Sequence, residues 1–165
     1  MGRGVQGMVY ISRILVGDHV WEITASEIGV TGVAPRNSYV QAKENQYSQQ
    51  GAEELLAYFR GERTRFSVAL DLSGTDFQKQ VWSALCEIPF GESRTYTQIA
   101  ERLGRPAAVR AVANAIGRNP CLVLVPCHRV LGKDGSLTGF SAGLSMKKEL
   151  LELEKISFRK EKQRT

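Results

Sequence analysis

A chain of 165 residues, 42% hydrophobic and 24% charged, is long enough to bury a core as one domain or as two small ones, and its composition is that of an ordinary globular protein. No apolar stretch approaches the length of a membrane span and the N-terminus lacks the apolar segment of a secretory signal, so a cytoplasmic setting, nuclear in a eukaryote, is expected. The net charge of +5 is uneven: residues 1–74 carry 7 Lys and Arg against 8 Asp and Glu, and residues 75–165 carry 15 against 9. Basicity therefore belongs to the second part, where it reads either as a solvated face with a basic tail or as the footprint of an anionic partner.

Residues 1–7 are Gly-rich and expected to be loose. From 8 to 34 the chain alternates like strands, with Trp21, Ile23 and Ala25 on one face, Glu22 and Thr24 on the other, and Gly17-Asp18 as a hairpin turn. Residues 35–48 read as irregular. Ala52, Leu55, Leu56 and Phe59 mark an amphipathic helix that Gly61 can end, and Phe66, Val68, Leu70 and Leu72 alternate as a further strand. The expectation is a small α/β scaffold domain over 1–74. Its histidine, His19, has no cysteine near it, and no CxxC or HxxxH spacing occurs anywhere, so neither metal nor cofactor is expected. Three cysteines without a dense framework suit a reducing compartment, with Cys86 and Cys121 read as buried thiols.

Ser73 and Gly74 mark a boundary, followed by a second domain over 75–155 and a basic tail over 156–165. Thr75 and Gln78 have capping-box spacing before a helix with Phe77, Val81, Trp82 and Leu85 on one stripe, stopped before Pro89. Thr95 and Gln98 repeat the box before a short helix through Leu103. Gly104 ends it, and Pro106 suits the first turn of another helix running through Ile116, so the pair reads as helix-turn-helix. On the second of these helices Val109, Val112 and Ile116 share one face, while Ala107, Arg110, Ala111, Asn114 and Arg118 share the opposite one. Such an outward face is slim and polar. A full helix is about 10–12 Å across and the DNA minor groove about 6 Å wide, so small side chains would ease its approach to DNA; an alanine-rich helix is also simply a stable one.

Cys121 to Val125 read as a short buried strand or apolar wall leading into Pro126, Cys127, His128, Arg129 and Val130. A cysteine beside a histidine suggests an activated nucleophile, since the thiolate is the reactive form and a neighbouring base makes it available. Packing or coincidence explains many such neighbours. In the last predicted helix, Ser145–Lys155, Met146, Leu150 and Leu153 share a face with Glu154. A carboxylate pointing to the core needs a partner, and His128 is the one histidine of the second part; a frayed helix end is the bland alternative.

Taken together, Asn119-Pro120, Val125-Pro126-Cys127-His128-Arg129-Val130, Gly139-Phe140-Ser141 and Leu150-Leu151-Glu152-Leu153-Glu154, with Tyr96 and Arg110, resemble the O6-alkylguanine-DNA alkyltransferases. The resemblance spans about Thr75 to Lys155. It implies an N-terminal α/β domain with an RNase H-like sheet and a mostly α, winged helix-turn-helix C-terminal domain. It implies that Cys127 accepts an alkyl group from O6 of guanine, or O4 of thymine, in duplex DNA, once per molecule and after base flipping. His128 would act through a water as base, Glu154 would orient it, Asn119 would brace the turn, and Tyr96 would contact phosphate and help protonate the departing base. Arg110 would fill the vacated stack, with Thr95, Thr97, Ala107, Ala111, Asn114 and Arg118 on DNA at the minor groove. Leu137, Phe140, Ser141 and Ala142 would line the guanine pocket. Phe140 stands where many members have tyrosine, and Ala142 where glycine is frequent, so adduct preference is the property in play. The resemblance implies a monomer without metal or cofactor, with cooperative binding along DNA left open. Two other readings are a winged-helix DNA-binding or regulatory protein without transfer activity, and a cysteine hydrolase using Cys127, His128 and Glu154.

Overall fold

Alternating apolar residues in the first part of the chain build a three-stranded antiparallel sheet in the order β1 (Tyr10–Val16), β2 (His19–Ala25), β3 (Val30–Ala34). This is a computed structural model, and it describes residues 7–159. The Gly-rich start (except Gly7) and residues 160–165 of the basic tail therefore lie outside the described residues. The chain divides into two compact units, one ending at Ser73 and one beginning at Gly74. No helix among the described residues is long and apolar enough to cross a membrane.

In the first unit Gly17, at φ +60°, turns β1 into β2 through the two-residue loop that the Val16–His19 pairing requires. Trp21, Ile23 and Ala25 are buried, as are Leu55 and Tyr58 of α1 (Gln46–Phe59), which packs on the sheet. A Cβ on Gly51 would come within 3.0 Å of Ile23 Cγ2 and 3.1 Å of Val30 Cγ2, so glycine is what lets the helix lie this close. Helix α1 begins earlier than the apolar spacing predicts. Asn45 Oδ1 accepts the N–H groups of Tyr47 and Ser48, and Ser48 Oγ accepts that of Asn45, so the irregular stretch ends at Asn45. Phe66 to Leu72 do not form the expected strand. The buried Glu54 carboxylate takes the N–H groups of Ser67 and Val68, removing two donors a ladder would need, and only Val30 and Leu70 form a bridge.

The polar face of β2 is not an open one. Glu22 is 1% exposed, accepting from Arg13 Nε (2.9 Å), Arg36 Nε (3.2 Å), the Ser38 N–H (2.6 Å) and Ser38 Oγ (2.7 Å). These bonds draw the loop after β3 back onto the sheet. They hold the Glu22 pKa at about 2 against the opposing effect of burial.

The second unit packs α2 (Asp76–Leu85), α3 (Tyr96–Arg102) and α4 (Val109–Gly117) together. Both capping boxes form: Thr75 and Gln78 start α2, Thr95 and Gln98 start α3. Trp82 Nε1 donates to Ala115 O at 2.8 Å, a buried bond that ties α2 to α4. Helix α4 starts at Val109 rather than near Pro106. Ala108 N–H bonds Arg105 O in a turn that precedes the helix, so Pro106 and Ala107 lie outside it. Cys86, expected to be buried, is exposed, because one step past Leu85 at the end of α2 it leaves the buried stripe. A two-residue parallel ladder pairs β4 (Arg94–Thr95) with β5 (Val130–Leu131), setting the start of α3 beside the chain that leaves Cys127. Helix α5 (Leu144–Leu153) closes the unit one residue earlier at its start than predicted; Glu154 is its C-cap, and Lys155, at φ +60°, lies beyond it.

Candidate active site

Cys121 to Val125 are buried as predicted, yet they form a turn, not a strand. Asn119 Oδ1 accepts the Cys121 N–H (2.9 Å) and its Nδ2 donates to Val125 O (2.8 Å), drawing the two ends of the segment together. Between them Leu124 N–H bonds Leu122 O at 2.8 Å across Val123, whose φ of +73° is a strained position for a β-branched residue. This stapled turn delivers Cys127 into a single 3-10 turn, Cys127–Arg129, with Cys127 only 4% exposed.

Burial fixes the resting protonation of the group. It pushes the Cys127 thiol up to about 11, a rise only partly offset by the Asn119 hydrogen bond and the positive charge of Lys147. Cys127 therefore rests as a thiol and needs a base. His128 is completely buried, and burial lowers its pKa below the usual imidazole value although Glu154 opposes the shift. A neutral ring follows near neutral pH. His128 Nε2 and Glu154 Oε2 lie 2.6 Å apart, so on a neutral ring the proton sits on Nε2 and donates to the carboxylate, which leaves Nδ1 as an acceptor. Among the described residues His128 Nδ1 is a buried polar atom with no hydrogen-bond partner.

Glu154 is held from several sides. Arg129 donates from Nε to Oε1 (2.8 Å) and from Nη2 to Oε2 (3.1 Å), and the Gly91 N–H donates to Oε1 (3.1 Å). Arg129 Nη1 is itself fixed by Ile88 O at 2.6 Å. The carboxylate and guanidinium neutralise each other in a place where either alone would be costly. Lys147 is fully buried, and its Nζ donates to Thr138 O (3.2 Å) and Oγ1 (3.4 Å). Burial lowers its pKa to about 8, with Cys127 acting in the opposite direction. Tyr96 Oη lies 2.6 Å from the same Thr138 hydroxyl, and burial raises its pKa.

The structure thus buries Asn119, Cys127, His128 and Glu154, with Asn119 hydrogen-bonded across the turn before Cys127 and His128 hydrogen-bonded to Glu154, and sets Tyr96 on the Thr138 and Lys147 network. Arg110, Ala111 and Asn114 are exposed on α4, Arg118 is exposed at its C-cap, and Ala107 is exposed in the turn before it. Thr95 Oγ1 caps α3 by accepting the Gln98 N–H, and Thr97 is half-buried. Phe140 and Ala142 are half-buried and Ser141 is exposed, whereas Leu137 packs against the buried Leu131, Leu151 and Ile156. The sequence names Arg129 only as part of the Cys127 motif, without a role, and does not single out Thr138 or Lys147. For Lys147 a signal existed: positions 147, 150, 151 and 154 follow the i, i+3, i+4, i+7 rule, which puts this lysine on the buried stripe.

A buried thiol, a neutral imidazole and a carboxylate fixed behind it are groups whose chemistry suits a nucleophilic cysteine centre of the base-and-orienter type. The comparisons with known proteins narrow that class. Residues 76–156 match the family model for the 6-O-methylguanine DNA methyltransferase, DNA binding domain. The chain is 51% identical over 113 residues to the methylated-DNA--protein-cysteine methyltransferase of Methanosarcina barkeri, covering 68% of this chain and 72% of that protein. It is 56% identical over 103 residues to the protein of the same name from Mycobacterium tuberculosis, and that match spans 62% of each chain. The crystal structure of Mycobacterium tuberculosis OGT in complex with DNA superposes with a TM-score of 0.77 at 41% identity, covering 89% of this chain and 92% of that one. This chain belongs to the 6-O-methylguanine DNA methyltransferase family.

Proposed function

We propose that this protein repairs DNA by direct reversal, moving a methyl or small alkyl group from O6 of guanine in duplex DNA onto its own Cys127. The observation that carries this reading is the placement of Cys127 on a stapled turn beside a His128 whose other ring nitrogen is anchored to Glu154. A water bridging Sγ and His128 Nδ1 passes the thiol proton to the ring, and Glu154 stabilises the imidazolium that forms. Sulfur then attacks the alkyl carbon, the C–O6 bond breaks, and its electron pair withdraws into the purine, which takes up a proton as it departs. Tyr96 serves that departing base. The thioether product is stable and no group in the site is suited to hydrolyse it, so one molecule repairs one lesion. O4 of thymine is a second position open to the same attack.

In-line attack on a carbon attached to a stacked base is sterically blocked, so the nucleotide must be flipped out. The exposed, small-residue face of α4 supports an approach along the minor groove, with α3 and α4 as the helix-turn-helix of a winged domain and Arg110 filling the stack. Thr95, Thr97, Ala107, Ala111, Asn114 and Arg118 lie along the DNA side, and Asn119 keeps the Cys127 turn in shape. Phe140, Ser141 and Ala142 face the flipped guanine, with Leu137 propping the segment; the Ala142 methyl group narrows the space for bulky adducts. The first unit serves as an RNase H-like scaffold, and the protein works as a monomer in the cytoplasm or nucleus.

Peptide mapping after incubation with duplex DNA containing labelled O6-methylguanine tests the reading. Label on the peptide that carries Cys127 is expected. DNA binding without label would favour a regulatory DNA-binding protein, and repeated turnover of an ester or amide would favour a cysteine hydrolase.

A further inference from the structure

Thr138 lies in the segment between β5 and α5, where one hydroxyl meets two titratable side chains. Its Oγ1 is 2.6 Å from Tyr96 Oη and 3.4 Å from Lys147 Nζ, while its backbone carbonyl independently accepts from Lys147 at 3.2 Å. An ammonium group can only donate, so Thr138 Oγ1 accepts on the Lys147 side. The positive charge also turns the hydroxyl proton away from itself. When a purine acceptor faces Tyr96 Oη, only one direction of the chain satisfies every donor: Lys147 to Thr138, Thr138 to Tyr96, Tyr96 to the base. The reverse polarity would leave the Thr138 O–H without an acceptor in a half-buried place, which is unfavourable.

We propose that Thr138 is a positioning residue for the transfer, its hydroxyl accepting from Lys147 and donating to Tyr96 so that the tyrosine proton is aimed at the departing guanine. This rests on the reading that Tyr96 serves the leaving base. As the Sγ–C bond forms and the C–O6 bond breaks, the electron pair moves into the purine and the Tyr96 proton passes to the purine. Tyr96 is refilled from Thr138, and Thr138 from the Lys147 ammonium. The thiol proton has meanwhile gone to His128, so the charge lost at Lys147 reappears on the imidazolium and the total is unchanged. Burial places the Lys147 pKa near 8, which makes its ammonium a usable proton source at the end of such a chain.

The test compares single-turnover rates for O6-benzylguanine and for its 8-aza analogue, whose electron-poor purine leaves with less need of a proton. Thr138→Val removes the hydroxyl but keeps the branched shape and the carbonyl contact to Lys147; Thr138→Ala is a second hydroxyl-free variant should valine not fold. The expected result is a loss of about tenfold or more on O6-benzylguanine, a much smaller loss on the 8-aza compound, and recovery to within about twofold in Thr138→Ser. Tyr96→Phe should show the same dependence on leaving group. If it does while the hydroxyl-free variants lose both substrates equally or neither, or if serine fails to recover, the role of Thr138 is overturned and that of Tyr96 stands. If Tyr96→Phe shows no dependence on leaving group, the reading of Tyr96 fails, and this inference with it.

Discussion

Two of the buried glutamates, one taken from each unit, show how similar electrostatics serve different ends. Glu22 and Glu154 are 1% and 3% exposed, and each takes hydrogen bonds from arginine and from a backbone N–H. Around Glu22 the remaining donor is a serine, and the bonds end on a surface loop. Around Glu154 it is a histidine whose far nitrogen has no hydrogen-bond partner among the described residues and which follows the buried Cys127 in the chain. A buried carboxylate with arginine partners is thus a way of making a firm structure, and it becomes chemistry only when one partner can carry a proton elsewhere.

The largest expected contrast comes from the thiol itself. Cys127→Ala should abolish label transfer while leaving DNA affinity within about twofold, because a small buried side chain contributes nothing to phosphate contacts; a parallel loss of affinity would tie Cys127 to DNA binding instead. Next comes Glu154→Gln, which removes the orienting charge and leaves Arg129 buried without its counter-ion. A rate loss of about 10²–10⁴ is expected, with a stability loss of about 3–5 kcal/mol in denaturant titration. The paired change Glu154→Leu with Arg129→Met should keep the fold and lose the activity, which separates the two effects. Glu22→Gln should cost on the order of 1–3 kcal/mol and leave the transfer rate within about twofold; a rate loss as large as that of Glu154→Gln would break the comparison.

On the DNA side, Arg110→Ala should slow repair of a duplex lesion by about 10- to 100-fold, since a few kcal/mol of unstacking then go uncompensated, and should spare reaction with free O6-benzylguanine. Equal losses in both assays would remove Arg110 from the base stack. The smallest effects lie in the pH dependence of unfolding, where the two glutamate sites should separate. The folded pKa of Glu22 is lowered from 4.5 to about 2, so its contribution is full above about 4.5 and disappears as pH falls towards 2. That of His128 is lowered from 6.5, so its contribution is full above about 6.5 and declines as pH falls below that value. Probes in the second unit should therefore report weakening at milder acidity than probes in the first.

The parts of this design that were legible in the sequence are the ones written in local code. Thr75 with Gln78 and Thr95 with Gln98 announce helix starts because a cap involves only residues three apart. Glu154 announced a partner because its helical phase points it to the core. What local code does not carry is competition for backbone donors: Phe66 to Leu72 alternate like a strand, yet Glu54 takes two of their N–H groups. The same holds for Cys121 to Val125, where a side chain before the segment, Asn119, bends a strand-like composition into a turn. Arg129 stands in the motif without a legible role because Cys127 and His128 dominate it, although it is the second arm holding Glu154. Lys147 was hidden by its neighbour Lys148, a pair that looks like the solvated face of a helix until the phase is counted.

One measurement bears most directly on the difference between the two units. Excess duplex DNA carrying labelled O6-methylguanine is incubated with a known amount of protein, and bound label is followed to completion. The account predicts that label rises to one per protein molecule, stays on Cys127, and does not turn over. Label that never reaches Cys127, or product that keeps accumulating beyond one equivalent, would contradict it.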